Sequence, residues 1–216
     1  MTCDDFDIII STTDSPRSAE RRERLSAYFR QANITRYEWD EEPVCTDSPI
    51  PLLAGWYGCA KHFANILSRL QGRHIIFMED DAVFSKDFQS RMNHHLVQLP
   101  DDWGIFAAGH AELTGDIHPL ANTDLVTAEG FAGMQCLAIK SGEWRDQLID
   151  DINTHELYKY YGAGHGYDRS LVPWCRKHNV GMYFSAKSFV GQGGCLSIAM
   201  GIYIPIVGLD ESLLVS

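Results

Sequence analysis

The chain has 216 residues, 45% of them hydrophobic and 22% charged, which suits one globular domain over residues 1–216 and excludes a disordered or fibrous chain. Eighteen Lys and Arg stand against 29 Asp and Glu, a formal charge of -11 that disfavours a broad nucleic-acid or anionic-membrane footprint. The acidic start, Met1 to Asp5, has neither the basic nor the apolar region of a signal peptide, and no apolar run is long enough to span a bilayer, so a cytoplasmic protein without a membrane span is expected. In chain order, Phe6 to Ile10 reads as a short apolar strand. Ser15 then caps a helix with Pro16 at its first position, and Leu25, Tyr28, Phe29 and Ala32 recur on one face. Ile34 to Trp39 reads as a second strand, and Leu53, Tyr57, Ala60, Ala64 and Leu67 mark a second amphipathic helix. His74 to Met78 is a buried strand, followed by a helix marked by Phe88, Met92, His95, Leu96 and Leu99. Ile105 to Ala108 and Met134 to Ile139 are further strands, Ser141 starts a helix to about Ile152, and another helix follows Asp168. Strands alternating with helices predict an α/β sandwich with a mostly parallel central sheet, in which ligands bind beyond the carboxyl ends of the strands. The six cysteines are widely spaced with no CxxC pair, so they read as reduced thiols rather than a zinc or redox motif.

The most informative segment is Glu79-Asp80-Asp81, three carboxylates at the end of the apolar run His74 to Met78, with apolar residues resuming at Ala82. Two like charges ~4 Å apart repel by about 1 kcal/mol in water and about 4 kcal/mol at a surface-like dielectric of ~20. Flanked by buried residues, they need a cation, an array of donors or a raised pKa. Carboxylate oxygens suit Mn²⁺ or Mg²⁺, which can bridge a protein to a diphosphate and neutralise a departing phosphate. The plainer reading is a solvated acidic turn.

The order of the motifs resembles glycosyltransferase family 25, which holds lipopolysaccharide-type and collagen-type galactosyltransferases. Asp14-Ser15-Pro16 with Arg21-Arg22 is similar to the family's opening helix, and Gly58-Cys59-Ala60-Lys61-His62 to its helix that opens on Gly-Cys and closes on Ser-His, with Lys61 standing in place of Ser. Phe77 to Asp81 resembles its "L-E-D-D" segment, and Trp103 to Gly109 its "W-D-x-x-x-L-G" strand. Gly166-Tyr167-Asp168, Gln192 and Ser197-Ile198 resemble its later positions. The resemblance implies a GT-A-like, Rossmann-type fold, a nucleotide-sugar donor that is usually UDP-linked, a divalent metal, and inversion at the anomeric carbon. It implies Asp81 as the metal ligand, with Glu79 and Asp80 dividing the ribose or sugar hydroxyls and the outer shell.

The remaining candidates each have a bland counterpart. Ser11 and Thr12 follow the first strand, where a nucleobase and ribose would sit, but small hydroxyls also serve ordinary loops. Arg17, Arg21 and Arg22 lie near a helix start, where cations oppose the dipole, so one of them is expected to meet an anion such as a pyrophosphate; Arg22 is the first choice. The alternative is a solvated face shared with Glu20 and Glu23. His62 is a donor contact or a structural histidine. Asp168, after a Gly-rich aromatic loop from Tyr160, is a general base or a helix cap. Gln192 joins the donor-binding set through the resemblance. The expected acceptor is a glycan or another hydroxyl-bearing molecule. Two alternatives stay open: a non-catalytic sugar-nucleotide-binding or interaction module of the same fold, and a phage-type transferase glycosylating hydroxymethylated DNA bases, the latter disfavoured by the charge.

Overall fold

The computed structural model describes residues 1–13, 16–42, 54–160, 166–192, 195–196 and 203–204, with 16–17, 42, 54–56, 192 and the last two pairs described by their backbone alone. Strand β1 (Asp7–Thr13) leads into helix α1 (Pro16–Gln31), strand β2 (Glu38–Glu42) and helix α2 (Ala54–Arg69). Strands β3 (Ile75–Glu79) and β4 (Ala82–Phe84) precede helix α3 (Phe88–Leu96) and strand β5 (Trp103–Gly109). Four short strands follow: β6 (Glu112–Thr114), β7 (His118–Pro119), β8 (Leu125–Thr127) and β9 (Gly130–Ala132). Then come β10 (Cys136–Ile139), α4 (Trp144–Asn153), a 3₁₀ turn over Glu156–Tyr160, α5 (Asp168–Lys177), β11 (Gly181–Ser185) and β12 (Val190–Gln192). A small antiparallel pair, β13 (Cys195–Leu196) with β14 (Tyr203–Ile204), lies near the C-terminus.

The main sheet runs β2-β1-β3-β10-β5-β11-β8-β7. Strands β2, β1 and β3 are mutually parallel, β10 is antiparallel to both β3 and β5, and β11 is parallel to β5. Five of the six central strands therefore point one way and β10 alone points the other. This is the expected α/β architecture with a mostly parallel centre, and it lays the carboxyl ends of β1, β3, β5 and β11 along one edge. Period-2 alternation splits the core between the two faces. Ile8 and Ile10, Ile76 and Met78, and Phe106 and Ala108 pack with Leu25, Phe29, Phe88 and Met92 of α1 and α3. Ile9, Ile75 and Phe77, Ile105 and Ala107 pack with Ala60, Phe63, Leu148 and Leu171 of α2, α4 and α5.

Some boundaries differ from the sequence reading, for local reasons. The second strand begins at Glu38, not Ile34, because the preceding residues close α1: Asn33 is left-handed with φ 55°, and the Ile34 N–H bonds to the Phe29 carbonyl at 2.9 Å. The third helix stops at Leu96. Helix α4 starts at Trp144, because the Ser141 N–H is still engaged by His74 Nδ1 at 3.0 Å. Cys3, Cys136 and Cys175 are buried thiols, and burial pushes Cys3 up to about 12. Among the described residues no helix is long and apolar enough to cross a membrane.

Candidate functional site

The acidic turn forms where β3 ends in the middle of the sheet. Ser11 of β1 is in register with Glu79 of β3. The Asp80 N–H donates to the Ser11 carbonyl at 3.0 Å, and the Glu79 N–H donates to the Gln135 carbonyl at 3.3 Å. The turn is thus gripped by β1 on one side and by the entry to β10 on the other. Glu79 is half-buried; Asp80 and Asp81 are 5% and 7% exposed. After the turn the chain re-enters the sheet as β4, which pairs antiparallel with β12 and sets Gln192 opposite Ala82, beside Asp81. Strand β12 reaches this position by lying against β5 at Gly109, where a Cβ would stand 2.5 Å from the Val190 carbonyl oxygen.

Asp80 already has a cation. Arg21 Nη1 donates to Asp80 Oδ1 at 2.8 Å, and Thr12 Oγ1 donates to Asp80 Oδ2 at 2.8 Å. The side chains of this ion pair are 6% and 7% exposed. Arg21 faces inward because it shares a helical stripe with Ser18, Leu25 and Phe29, all buried. Arg22, one residue on, projects to the surface and pairs with Glu41 of β2 at 2.8 Å, the two side chains 26% and 57% exposed. Thr13 Oγ1 and Ser18 Oγ lie 2.7 Å apart at the start of α1. The side chains of Arg17 and Gln192 lie outside the described residues, as do residues 161–165 of the Gly-rich loop and Ser197-Ile198.

His62 sits on the other side of β1. It is 5% exposed, with Nε2 3.3 Å from the Asp40 carbonyl and 3.5 Å from Asp40 Oδ1. Burial pulls its pKa below the ordinary histidine value, with Asp40 pulling the other way. Arg69 also pairs with Asp40. His62 therefore joins α2 to β2 through Asp40.

Asp168 is the first residue of α5, with Tyr167 in the N-cap position. Its Oδ2 accepts the Gly133 N–H at 2.7 Å, and its Oδ1 accepts the Arg169 N–H at 2.9 Å. Gly133 is left-handed (φ 91°), and a Cβ there would overlap the Gln135 amide. The stretch from Gly133 to Gln135 thus touches Asp168 at one end and Glu79 at the other. Arg169 pairs with Glu112 at 3.2 Å. The contacts of Arg21 with Asp80 and of Gly133 with Asp168 are the ones the sequence reading did not specify. The first had a signal in the helical stripe of α1; the second depends on a long-range approach without a pattern.

Ser11, Thr12, Glu79, Asp80 and Asp81 are therefore brought together, with the backbone of Gln192 beside them. Arg22 and His62 lie toward β2. Among the described residues no three His, Cys, Asp or Glu side chains converge as a metal cage. A Mn²⁺ or Mg²⁺ taking one or two carboxylates, with phosphate and water oxygens for the rest, asks only for a carboxylate such as Asp81.

Neither a protein-family model nor a curated protein sequence matches the chain. Among solved structures, a glycosyltransferase involved in the glycosylation of the major capsid of PBCV-1 superposes with a TM-score of 0.52 at 8% identity, covering 83% of this chain and 80% of that one. A nucleoside-diphosphate-sugar pyrophosphorylase from Vibrio cholerae RC9 gives 0.44 at 11% identity, covering 85% of this chain and 75% of that one. The first likeness is one of fold: this chain has a glycosyltransferase-like fold.

Proposed function

We propose that the chain is a glycosyltransferase of the GT-A type, akin to family 25, that moves a hexose from a nucleotide-sugar, UDP-linked donor to an acceptor hydroxyl with inversion, using Mn²⁺ or Mg²⁺. The observation that carries this reading is the turn Glu79–Asp81, with both aspartates buried, at the carboxyl end of a central strand of a glycosyltransferase-like sheet. A bound cation would supply charge neutralisation for the leaving diphosphate. Asp81 would hold it, and Glu79 would face the ribose or sugar hydroxyls. Ser11 and Thr12 would flank the nucleoside, with Arg17, Arg22, His62 and Gln192 as its outer contacts. Asp168 would take the acceptor proton.

A second reading has its own observation. Both Asp168 oxygens accept backbone N–H groups, which suits a strap holding Gly133 in a non-catalytic sugar-nucleotide-binding module. The two readings share donor binding and differ in turnover.

The test is a calorimetric titration of UDP and UDP-hexoses with Mn²⁺ or with EDTA. UDP is expected to bind much more tightly with metal, and Asp81→Asn to abolish that difference while the fold persists. A donor at 100 times its Kd should stabilise the protein by about 2.7 kcal/mol in a thermal melt. Equal UDP affinity with metal and with EDTA would overturn the assignment.

A further inference from the structure

We propose that Asp80, although it lies beside the candidate ligand Asp81, is the strut of the acidic turn rather than a ligand: Arg21 and Thr12 hold its two oxygens so that Asp81 is the carboxylate presented to a divalent cation. The inference rests on the nucleotide-sugar reading and adds a division of labour within it. Three adjacent carboxylates at a strand end repel one another, and each needs a compensating charge or donor. Asp80 has both inside the protein. The Arg21 guanidinium meets one oxygen at 2.8 Å and the Thr12 hydroxyl meets the other at 2.8 Å, with all three residues buried. A cation drawing on Asp80 would have to compete with a desolvated guanidinium already in contact, at a cost in both partners' solvation.

The same contacts fix the turn. The Asp80 backbone N–H is tied to Ser11 and its side chain to Thr12, both of β1, and to Arg21 of α1, so these two elements define where the next residue begins. Asp81 follows directly and is buried, and β4 then locks to β12 from Ala82 onward. Arg21 and Asp80 are therefore positioning residues. Outer partners of this kind set ligand geometry, and their removal commonly costs about 10–100-fold in metal affinity.

The experiment is an electron paramagnetic resonance titration of Mn²⁺ into the full chain in the presence of UDP. Arg21→Ala is expected to weaken Mn²⁺ binding by about 10–100-fold. The double variant Arg21→Gln with Asp80→Asn rebuilds a neutral hydrogen-bonded strut and is expected to recover to within about threefold of the parent, as paired replacements can be nearly neutral. Recovery shows that the Asp80 charge is not needed at the cation. A double variant as weak as Asp81→Asn would make Asp80 a ligand and overturn the proposal. So would Arg21→Ala with parental or tighter Mn²⁺ affinity, since a freed Asp80 would then be serving the metal. If Arg21→Ala does not fold, Thr12→Val keeps the ion pair and the volume: a strut predicts a fall of about two- to fivefold, the loss of one hydrogen bond of ordinary strength. Unchanged or tighter binding in that variant overturns the strut. If the parent itself shows no Mn²⁺-dependent UDP binding, the nucleotide-sugar reading fails, and the strut fails with it.

Discussion

At the scale of single residues, burial separates groups that look alike in the sequence. Arg21 and Arg22 are neighbours of the same type, yet one shares a desolvated ion pair with Asp80 and the other an exposed one with Glu41. Exposed pairs contribute about 0–1 kcal/mol, whereas removing one partner of a buried pair costs about 3–5 kcal/mol because the other charge is stranded. The distinction was legible: stepping back four residues from Leu25 along the apolar stripe reaches Arg21 and misses Arg22. Asp168 poses the sharper chemical question. Its carboxylate holds Gly133 and its own helix start, and the proposal also asks it to accept a proton from an acceptor hydroxyl. Asp168→Asn separates these duties, because the remaining carbonyl oxygen still accepts the Gly133 N–H while the basic oxygen is gone. We expect the variant to stay folded, with only a small fall in melting temperature for the lost Arg169 N–H acceptor, and to keep its Mn²⁺-dependent UDP binding while turnover falls by roughly 10²–10⁴, the usual contribution of a general base. Near-parent turnover would leave Asp168 as the strap of a loop and pass the role to Glu112 or His165.

At the scale of elements, what the sequence disclosed tracks the length of each pattern. Strands β1 and β3 carry the continuous apolar runs Ile8 to Ile10 and Ile75 to Met78, as central strands buried on both faces should, and these were legible with the acidic turn that ends β3. Strand β2 carries Asp40-Glu41-Glu42 at the sheet edge, where charges are tolerated and β-propensity says little, so its place was misjudged by several residues. Strands β6 to β9 are two or three residues each, too short to show any period, and they went unseen. So did the tether that joins the helical layer to the sheet, Arg145. This side chain is 1% exposed and donates to the carbonyls of Ile139 at 2.7 Å, Lys140 at 3.1 Å and Leu70 at 3.3 Å. Burial lowers its pKa to about 10, so it remains a cation at neutral pH while closing the ends of α2 and β10. Arg145→Met keeps much of the volume and strands three carbonyls. With charged hydrogen bonds contributing about 1.5–3 kcal/mol each, and part of that offset by the relief of burying no charge, we expect a loss of about 2–4 kcal/mol in urea unfolding. A loss within experimental scatter would show that water satisfies these carbonyls and that the layers are held by apolar packing alone.

At the scale of the whole molecule, four histidines among the described residues are set into the fold where burial favours the neutral ring, and together they shape how stability responds to acid. His62 and His95 are 5% and 4% exposed; His74 and His110 are half-buried. In each, burial is the leading cause of a pKa below the ordinary 6.5. The contacts agree with neutrality. His74 Nδ1 accepts the Ser141 N–H and so carries no proton of its own, and His95 stacks between Phe106 and Phe189 at 5.6 and 5.1 Å. An unfolded chain protonates these rings near pH 6.5, whereas the folded chain resists until lower pH. Below that point the unfolded state binds more protons than the native state, so stability falls as pH falls. Each fully shifted histidine contributes a slope of at most about 1.4 kcal/mol per pH unit, less for the two half-buried rings, which solvent partly screens. Urea midpoints are therefore expected to hold steady from pH 8 to 7 and to drop between pH 6.5 and 5.5, before most carboxylates titrate. His95→Phe, which keeps the stack on Phe106 and Phe189 and removes the titrating group, should flatten that slope by up to one proton's worth. A midpoint that stays level or rises between pH 6.5 and 5.5 would mean that the native rings accept protons as readily as the unfolded ones. The layers around β2, β10 and β5 would then be wetter than their packing implies.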